Sequence, residues 1–384
     1  MMLGFLLARA GVEAVVLEKH GDFLRDFRGD TVHPSTMQVM QELGLLDAFL
    51  ARPHSEVRTL AGQIGDDQVQ LADFTHLPVQ AKFVAFMPQW EFLDFLAAEA
   101  RRYPAFHLLM NTEATGIVRD GDLVTGVAAT GPDGPQSIRA ELVIAADGRH
   151  STLRDAAGFQ VVDRGAPMDV LWLRLSKSPS DPGQTLGRID AGRIFVMLDR
   201  EDYWQCAYVI RKGGIDEVHA KGLDAFRDEI GRLAPYLRDR VHELASWDDV
   251  KLLTVAVNRL DTWFRPGLLC IGDAAHAMSP VGGVGINLAV QDAVASANIL
   301  VPRMRAGKAT MENLRALQKR REWPTRMTQG LQIAVQNRVI SNVLRTKGTV
   351  KTPWAVKLLG RYPVLRRLPA RIIGMGFRPE HIRH

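Results

Sequence analysis

The sequence predicts an α/β fold with a Rossmann-like core, an inserted β-sheet domain and a helical C-terminal tail. Three observations predict it. Buried strands run straight into an acid and a glycine at "LVIAADG" and "LLCIGD". Stretches with helical spacing flank those strands, as layered α/β packing requires. Between them, from about residue 165 to 260, the texture changes to strand-like runs separated by Gly, Pro and Asp. A chain of 384 residues is long enough for two domains and a substantial core.

The elements follow in order. "MMLGFLLARAGVEAVVLEKH" predicts a buried helix over 1–10, a stop at Gly11, a strand over 12–17 and an acid, Glu18, at the strand's end. "PSTMQVMQELGLLDAFLA" has helical spacing, with Ser35 or Thr36 as its cap. Residues 55–86 alternate and carry Gly and Asp turns, which predicts short strands. "QWEFLDFLAAEARRY" predicts an amphipathic helix. Residues 107–148 predict a meander that ends in a buried strand over 142–145. "DVLWLRLSKS", "RIFVMLDRE" and "YWQCAYVIRKG" predict strands of the inserted sheet. "GLDAFRDEIGRLAPYL" predicts a helix and "VKLLTVAVNRLDTW" one more strand. "GINLAVQDAVASANILVPRM" predicts a long helix after a glycine cluster. The rest is helical, with breaks at Pro324, Pro353, Pro363 and Pro369.

Composition bounds the function. Two cysteines are too few for a disulfide framework or a metal cluster, and Cys270 inside "LLCIG" is a packing residue. No run of about 18 apolar residues predicts a membrane span, and the start lacks a signal-peptide pattern. Cytoplasm is the expected compartment. Aromatic residues are not interleaved to stack bases, so nucleic acid is not an expected partner. The net charge of +5 is uneven: residues 341–384 hold ten Lys/Arg and one acid, and the other residues are net acidic. The tail is a solvated helical segment, an anchor on an anionic surface, or a guide for an anionic cofactor.

Three motifs carry chemistry. In a dinucleotide-binding βαβ unit, a carboxylate at the second strand's end accepts ribose hydroxyls, and Glu18 stands there. In "LVIAADGRHSTLRDAAG", Gly148 permits a tight turn near a ligand, and Arg149 and Arg154 offer forked donors to phosphates. A strand-to-helix turn capped by Ser151 explains the same residues structurally. In "LLCIGDAAHAMSPVGGVGINLAVQDAV", Asp273 can accept a sugar hydroxyl. Glycines after Pro280 expose backbone N–H groups at the positive end of a helix.

Together these elements resemble the flavoprotein aromatic hydroxylases, the family of para-hydroxybenzoate hydroxylase, over roughly residues 1–325. The resemblance implies an FAD-binding Rossmann-like domain with an inserted substrate sheet. It divides the chain into 1–165, the first FAD-binding part with interleaved substrate-domain strands; 166–262, mainly the sheet domain; 263–324, the second FAD-binding part; and 325–384, a basic helical tail. It implies that Glu18 binds the ribose of the adenosine half. Arg28 would contact the FAD phosphates, and Gln89 would contact FAD. Asp147 and Gly148 would lie near FAD and NAD(P)H. Gly272 and Asp273 would hold the ribityl chain, and Pro280, Gly283, Gly285, Ile286 and Asn287 would line the flavin ring. His33 and His276 fall near the cofactor by position, each more simply a structural residue. Trp172, Arg174, Met197, Trp204 and Tyr208 are candidate pocket residues, and no catalytic residue is assigned.

The implied activity is that of a monooxygenase: NAD(P)H reduces FAD, and O₂ activated at the reduced flavin hydroxylates a phenol-like or polyketide-like ring. A small aromatic substrate, O₂ and a homodimer are the expected partners. Two alternatives stay open. One is a related FAD-dependent reductase or dehydrogenase acting on an isoprenoid-like substrate. The other is a truncated, silent relative acting as a binding protein.

One departure supports that last alternative. The family's first strand and G-x-G-x-x-G loop, which precede the first helix, have no counterpart in this sequence. The expectation is that upstream in-frame DNA encodes them. Adding that segment is expected to tighten FAD binding and raise stability. Titration with FAD and thermal melting check this; no change in either would show that Glu18 is misplaced.

Overall fold

The computed structural model describes residues 1–24, 31–182, 186–200, 202–346, 348 and 350–383. Its core is layered as the sequence predicts. The first helix, Met2–Arg9, is buried along almost its whole length and leads through Gly11 (φ +74°) into the strand Ala14–Leu17. Gly4 has no room for a side chain, because a Cβ there would meet Val16 at 2.5 Å. This close packing of helix on strand is why the helix can lie flat on the sheet.

Ala14–Leu17 pairs in parallel with Phe106–Leu109. Val143–Ala145 pairs in parallel with Leu268–Cys270, which continues antiparallel to Phe264–Arg265. Both parallel pairs are short; Val143–Ala145 and Leu268–Cys270 are apolar and largely buried, as expected for strands covered on both faces, whereas Val15 and its partner His107 face solvent. Helices Met2–Arg9, Gln89–Ala100 and Gly285–Arg305 contribute to the same hydrophobic core as these strands.

The inserted domain is built on a seven-stranded sheet among the described residues. Its order is Lys251–Leu253, Met168–Ser176, Tyr203–Arg211, Arg193–Asp199, Leu186–Asp190, Thr59–Ile64 and Asp67–Asp73. Two of these strands come from the early segment 59–73. The sheet divides its side chains by parity. Leu171, Leu173, Phe195, Met197, Trp204, Cys206 and Tyr208 face a core closed by Phe226, Ile230 and Leu233 of the helix Leu223–Leu233. Val170, Trp172, Ile194, Val196, Ala207 and Val209 face the other way, into a core that includes Val281.

Four sequence expectations change. The helix expected through residues 34–51 is two helices, Pro34–Glu42 and Leu46–Leu50, separated at Gly44, whose φ of +73° ends the first. Its N-cap is His33, and Pro34 takes the first helical position; neither Ser35 nor Thr36 caps it. "VKLLTVAVNRLDTW" divides into Lys251–Leu253 and Asn258–Leu260, which join different sheets. Neither Pro369 nor Pro324 breaks its helix: Arg367–Met375 runs through the first, and Met311–Val335 runs through Pro324 as one helix. The proline removes one helical N–H, and burial of Leu314, Leu317, Arg321, Gln329 and Gln332 holds the turn on either side.

The helix Gly285–Arg305 belongs to the one segment, Val281–Arg305, that is long and apolar enough to cross a membrane among the described residues, and 61% of its most apolar window is buried inside the fold. It serves as the central core helix, packed on the first helix and on Met311–Val335.

Candidate active site

The candidate site is assembled at the carboxyl ends of the parallel strands, the edge where open α/β sheets bind ligands. Glu18 follows Leu17 at one such end. Its backbone N–H reaches Leu109 O at 2.9 Å, and its Oε1 accepts from the His20 N–H at 3.0 Å. The Met1 amino group is nearby. Burial lowers its pKa and the Glu18 carboxylate opposes that shift.

The parallel pair Val143–Ala145 and Leu268–Cys270 delivers both acid–glycine motifs to one edge, with Ala145 opposite Cys270. They play different parts. The Asp147 carboxylate accepts from the Ser151 hydroxyl and, at 3.2 Å, from the Leu153 N–H. Ser151 Oγ in turn accepts from the Arg154 N–H at 3.0 Å. Asp147 and Ser151 therefore cap the helix Thr152–Ala156 together. Arg154 is buried, bonded to Asp155 and to the Arg149 carbonyl; Arg149 reaches Thr254 O at 3.4 Å. These arginines hold the turn. Gly148 (φ +86°) is the open element there, with no heavy atom within 4 Å of where a Cβ would stand.

Gly272 (φ +58°) turns the chain out of its strand, and its N–H donates to Asp292 Oδ2 at 3.1 Å. Asp292 lies on the core helix and is fully buried. His276 Nε2 meets Oδ2 at 2.6 Å, and Arg321 Nε meets Oδ1 at 2.9 Å. Burial alone would raise the Asp292 pKa, but His276 and Arg321 outweigh it and hold the carboxyl below its usual range. His276 packs against Trp263, with ring centroids 4.9 Å apart. It is a structural member of this knot. Asp273 is left half-buried at the edge of the site.

Pro280 opens a tight turn in which Gly282 and Gly283 have φ of +79° and +62°. Ser279 and Val281 are pinned from behind by Gln332, whose Nε2 donates to both carbonyls at 2.9 and 2.8 Å. Gly283 admits no side chain, because a Cβ would overlap the Thr31 hydroxyl. Thr31 Oγ1 donates to Gly283 O at 2.9 Å. Gly285 opens the core helix with free space around it, and no side chain caps the helix. The N–H groups of Gly285, Ile286 and Asn287 thus form an uncapped positive end suited to an electron-rich ring or anion.

The Asn287 side chain is wholly engaged. Its Oδ1 accepts from His33 N and Thr36 Oγ1, both at 2.8 Å, and its Nδ2 donates to Thr31 O and Gly283 O. It positions the loop through protein contacts, leaving only its backbone for a ligand. Gln89 begins the helix Gln89–Ala100 just after Val84–Phe86, the strand that pairs Phe86 with Thr31. Arg28 lies outside the described residues.

Strand parity sorts the pocket candidates. Trp172 and Arg174 lie on the sheet face that includes the Val281 core, with Arg174 over the Tyr203 ring at 3.9 Å. Met197, Trp204 and Tyr208 lie on the opposite face, beneath Leu223–Leu233, and cannot line a pocket at the glycine turn. Trp204 Nε1 is bonded there to Asp181 at 2.8 Å, and Met197 Sδ receives the Tyr236 hydroxyl at 2.9 Å. Gln205, which the sequence reading did not single out, lies on the same sheet face as Trp172 and Arg174. It pairs with Arg174 across the sheet and accepts Arg200 Nε at 2.9 Å. Strand alternation would have revealed it once the register was known.

The comparisons with known proteins agree with this geometry. The family model described as an FAD binding domain matches residues 1–330. The chain belongs to this FAD-binding family. Among its relatives, 6-methylpretetramide 4-monooxygenase from Streptomyces rimosus is 29% identical over 97% of this chain and 89% of that protein. Rifampicin monooxygenase from Streptomyces venezuelae is 26% identical over 76% of this chain and 60% of its own length. The fold matches p-nitrophenol 4-monooxygenase PnpA from Pseudomonas putida, with a TM-score of 0.76 and 21% identity, over 96% of this chain and 93% of that one.

The residues present fit FAD. Gly148 and Gly285 leave open space where side chains would stand, and the uncapped helix end supplies donors. His33 is buried beside this turn. Burial lowers its pKa from 6.5 to about 4, against an opposing bond to Ile373 O at 2.7 Å. The imidazole is therefore neutral at pH 7. A depressed histidine pKa stabilises the fold fully above about pH 6.5, and that stability is lost as pH falls towards 4. His33→Gln is expected to remove up to about 3 kcal/mol of acid sensitivity in that window. Urea unfolding from pH 7 to 4 checks this; an unchanged pH slope would contradict it.

Proposed function

We propose that this chain is an FAD-dependent monooxygenase that uses NAD(P)H and O₂ to hydroxylate an aromatic, polyketide-like substrate. The observation that carries the reading is the face-to-face arrangement of two surfaces. The glycine turn at 280–285 contributes Val281 to the same core as the Trp172–Val196 face of the inserted sheet. A ring bound at the turn lies beside this apolar packing.

Bound FAD would carry two electrons from NAD(P)H to O₂, so that one oxygen atom enters the substrate and the other leaves as water. The chain's own residues bind and orient. Glu18 and Asp273 stand at strand ends, where carboxylates accept sugar hydroxyls. The N–H groups at Gly285–Asn287 favour negative charge beside the helix end. Asn287 and Thr31 fix the turn, so these donors are preorganised.

Trp172 supplies a specificity contact. Its Nε1 is buried and has no hydrogen-bond partner among the described residues. Such a donor gains most from a ligand oxygen that arrives with the substrate. The relatives that act on 6-methylpretetramide and p-nitrophenol support this class for the chain.

The test is NAD(P)H oxidation and oxygen uptake by FAD-loaded protein across phenolic polyketides, with product detection. Hydroxylated product in proportion to oxygen consumed is expected. NAD(P)H-dependent reduction of a substrate without oxygen incorporation would instead favour the reductase reading. Trp172→Phe is expected to raise KM about 10-fold, the loss of one buried hydrogen bond, with FAD affinity unchanged.

A further inference from the structure

The tail presents a surface that neither the FAD site nor the sheet domain uses. Trp354, Leu358, Tyr362, Val364, Leu365 and Leu368 are all more than a third exposed, and Trp354 is 79% exposed. They fall on the helix Trp354–Arg361, its cap residue Tyr362, the turn Pro363–Arg366 and the start of Arg367–Met375. Trp354 and Leu358 are four residues apart on one helix, so they share a side. Interleaved with them are Lys351, Lys357, Arg361, Arg367 and Arg371. None of these five forms an ion pair among the described residues, and no acid occurs between residues 351 and 379.

The reverse side of this segment is fixed to the body. Thr352 Oγ1 donates to Asp67 at 2.6 Å. Arg366 bonds the carbonyls of Leu359 and Gly360, each at 2.9 Å, and the Gln70 side chain. Ala370 is fully buried, and a Cβ on Gly374 would meet Leu77 at 2.9 Å. The Ile373 carbonyl is the one that His33 contacts. The apolar and basic side chains are thus displayed outward from a fixed support next to the glycine turn.

We infer that this surface docks the protein on an anionic lipid bilayer. Charge selects the partner. Exposed apolar groups need a cover, but a two-fold contact with a second copy would set these cations against themselves, with no acid in the segment to offset them. A bilayer with anionic headgroups meets both demands. The aromatic and leucine side chains enter the headgroup–acyl boundary, and the Lys and Arg heads stay at headgroup level.

The test is co-sedimentation of the FAD-loaded protein with phosphatidylglycerol–phosphatidylcholine vesicles and with pure phosphatidylcholine vesicles. Binding to the anionic vesicles is expected to fall at least ~10-fold in about 1 M salt. It is also expected to fall at least ~10-fold in K357E/R361E and in W354S/L368S. Both variants change exposed side chains, so the flavin spectrum and melting temperature should match the parent's. No pelleting, equal pelleting on neutral vesicles, or unchanged binding in both variants would overturn the inference. So would a lipid-free dimer, seen by sedimentation velocity, that W354S/L368S abolishes.

Discussion

A single buried carboxylate ties the candidate site together. Asp292 is fully buried, and such a charge is costly unless its lone pairs are occupied. It accepts from Gly272 N, His276 Nε2 and Arg321 Nε, which come from a strand end, the following loop and a second helix. Arg321, also fully buried, extends the knot to Glu380 at 3.3 Å, and Arg320 grips the same carboxylate at 2.7 and 2.9 Å. The turn at Gly272–Asp273, the core helix, the long helix and the chain's end are thereby locked in one arrangement. Two arginines balance two carboxylates, so the knot holds no net charge from these four groups.

The second constraint is the parity of the inserted sheet. One face is sealed by its own helix and serves only stability. The other shares a core with the glycine turn through Val281. Trp172 and Arg174 belong to the second face because they are even-numbered on a strand whose odd-numbered leucines are sealed away. The same separation explains the buried Cys206, whose thiol pKa burial raises. Cys270, pushed up to about 12, is equally inert in the other core.

Much of this was legible in the sequence. The first helix and strand, the acid–glycine strand ends and the glycine turn before the core helix all stand where local pattern places them. What pattern could not give is how polar groups are spent. Asp147 stands in the motif read for a ligand, and pattern did not show that its carboxylate also caps a helix. Asn287 sits in the right motif, yet its amide is filled by nearby Gly283 and by Thr31, His33 and Thr36, which lie 251–256 residues away in sequence. Met197, Trp204 and Tyr208 were credible pocket residues until register assigned their faces. Pro324 looked like a break because propensity is local, whereas buried tertiary packing keeps that helix intact.

The most direct measurement is the FAD dissociation constant and unfolding free energy of Asp292→Asn, measured on the same preparation. The amide keeps the shape but removes the charge that pairs with Arg321, leaving that guanidinium poorly matched in the core. The account predicts a loss of about 3–5 kcal/mol in stability and FAD binding at least ~10-fold weaker, since about 1.4 kcal/mol lost from the turn is tenfold. A variant that melts like the parent and binds FAD as tightly would contradict it.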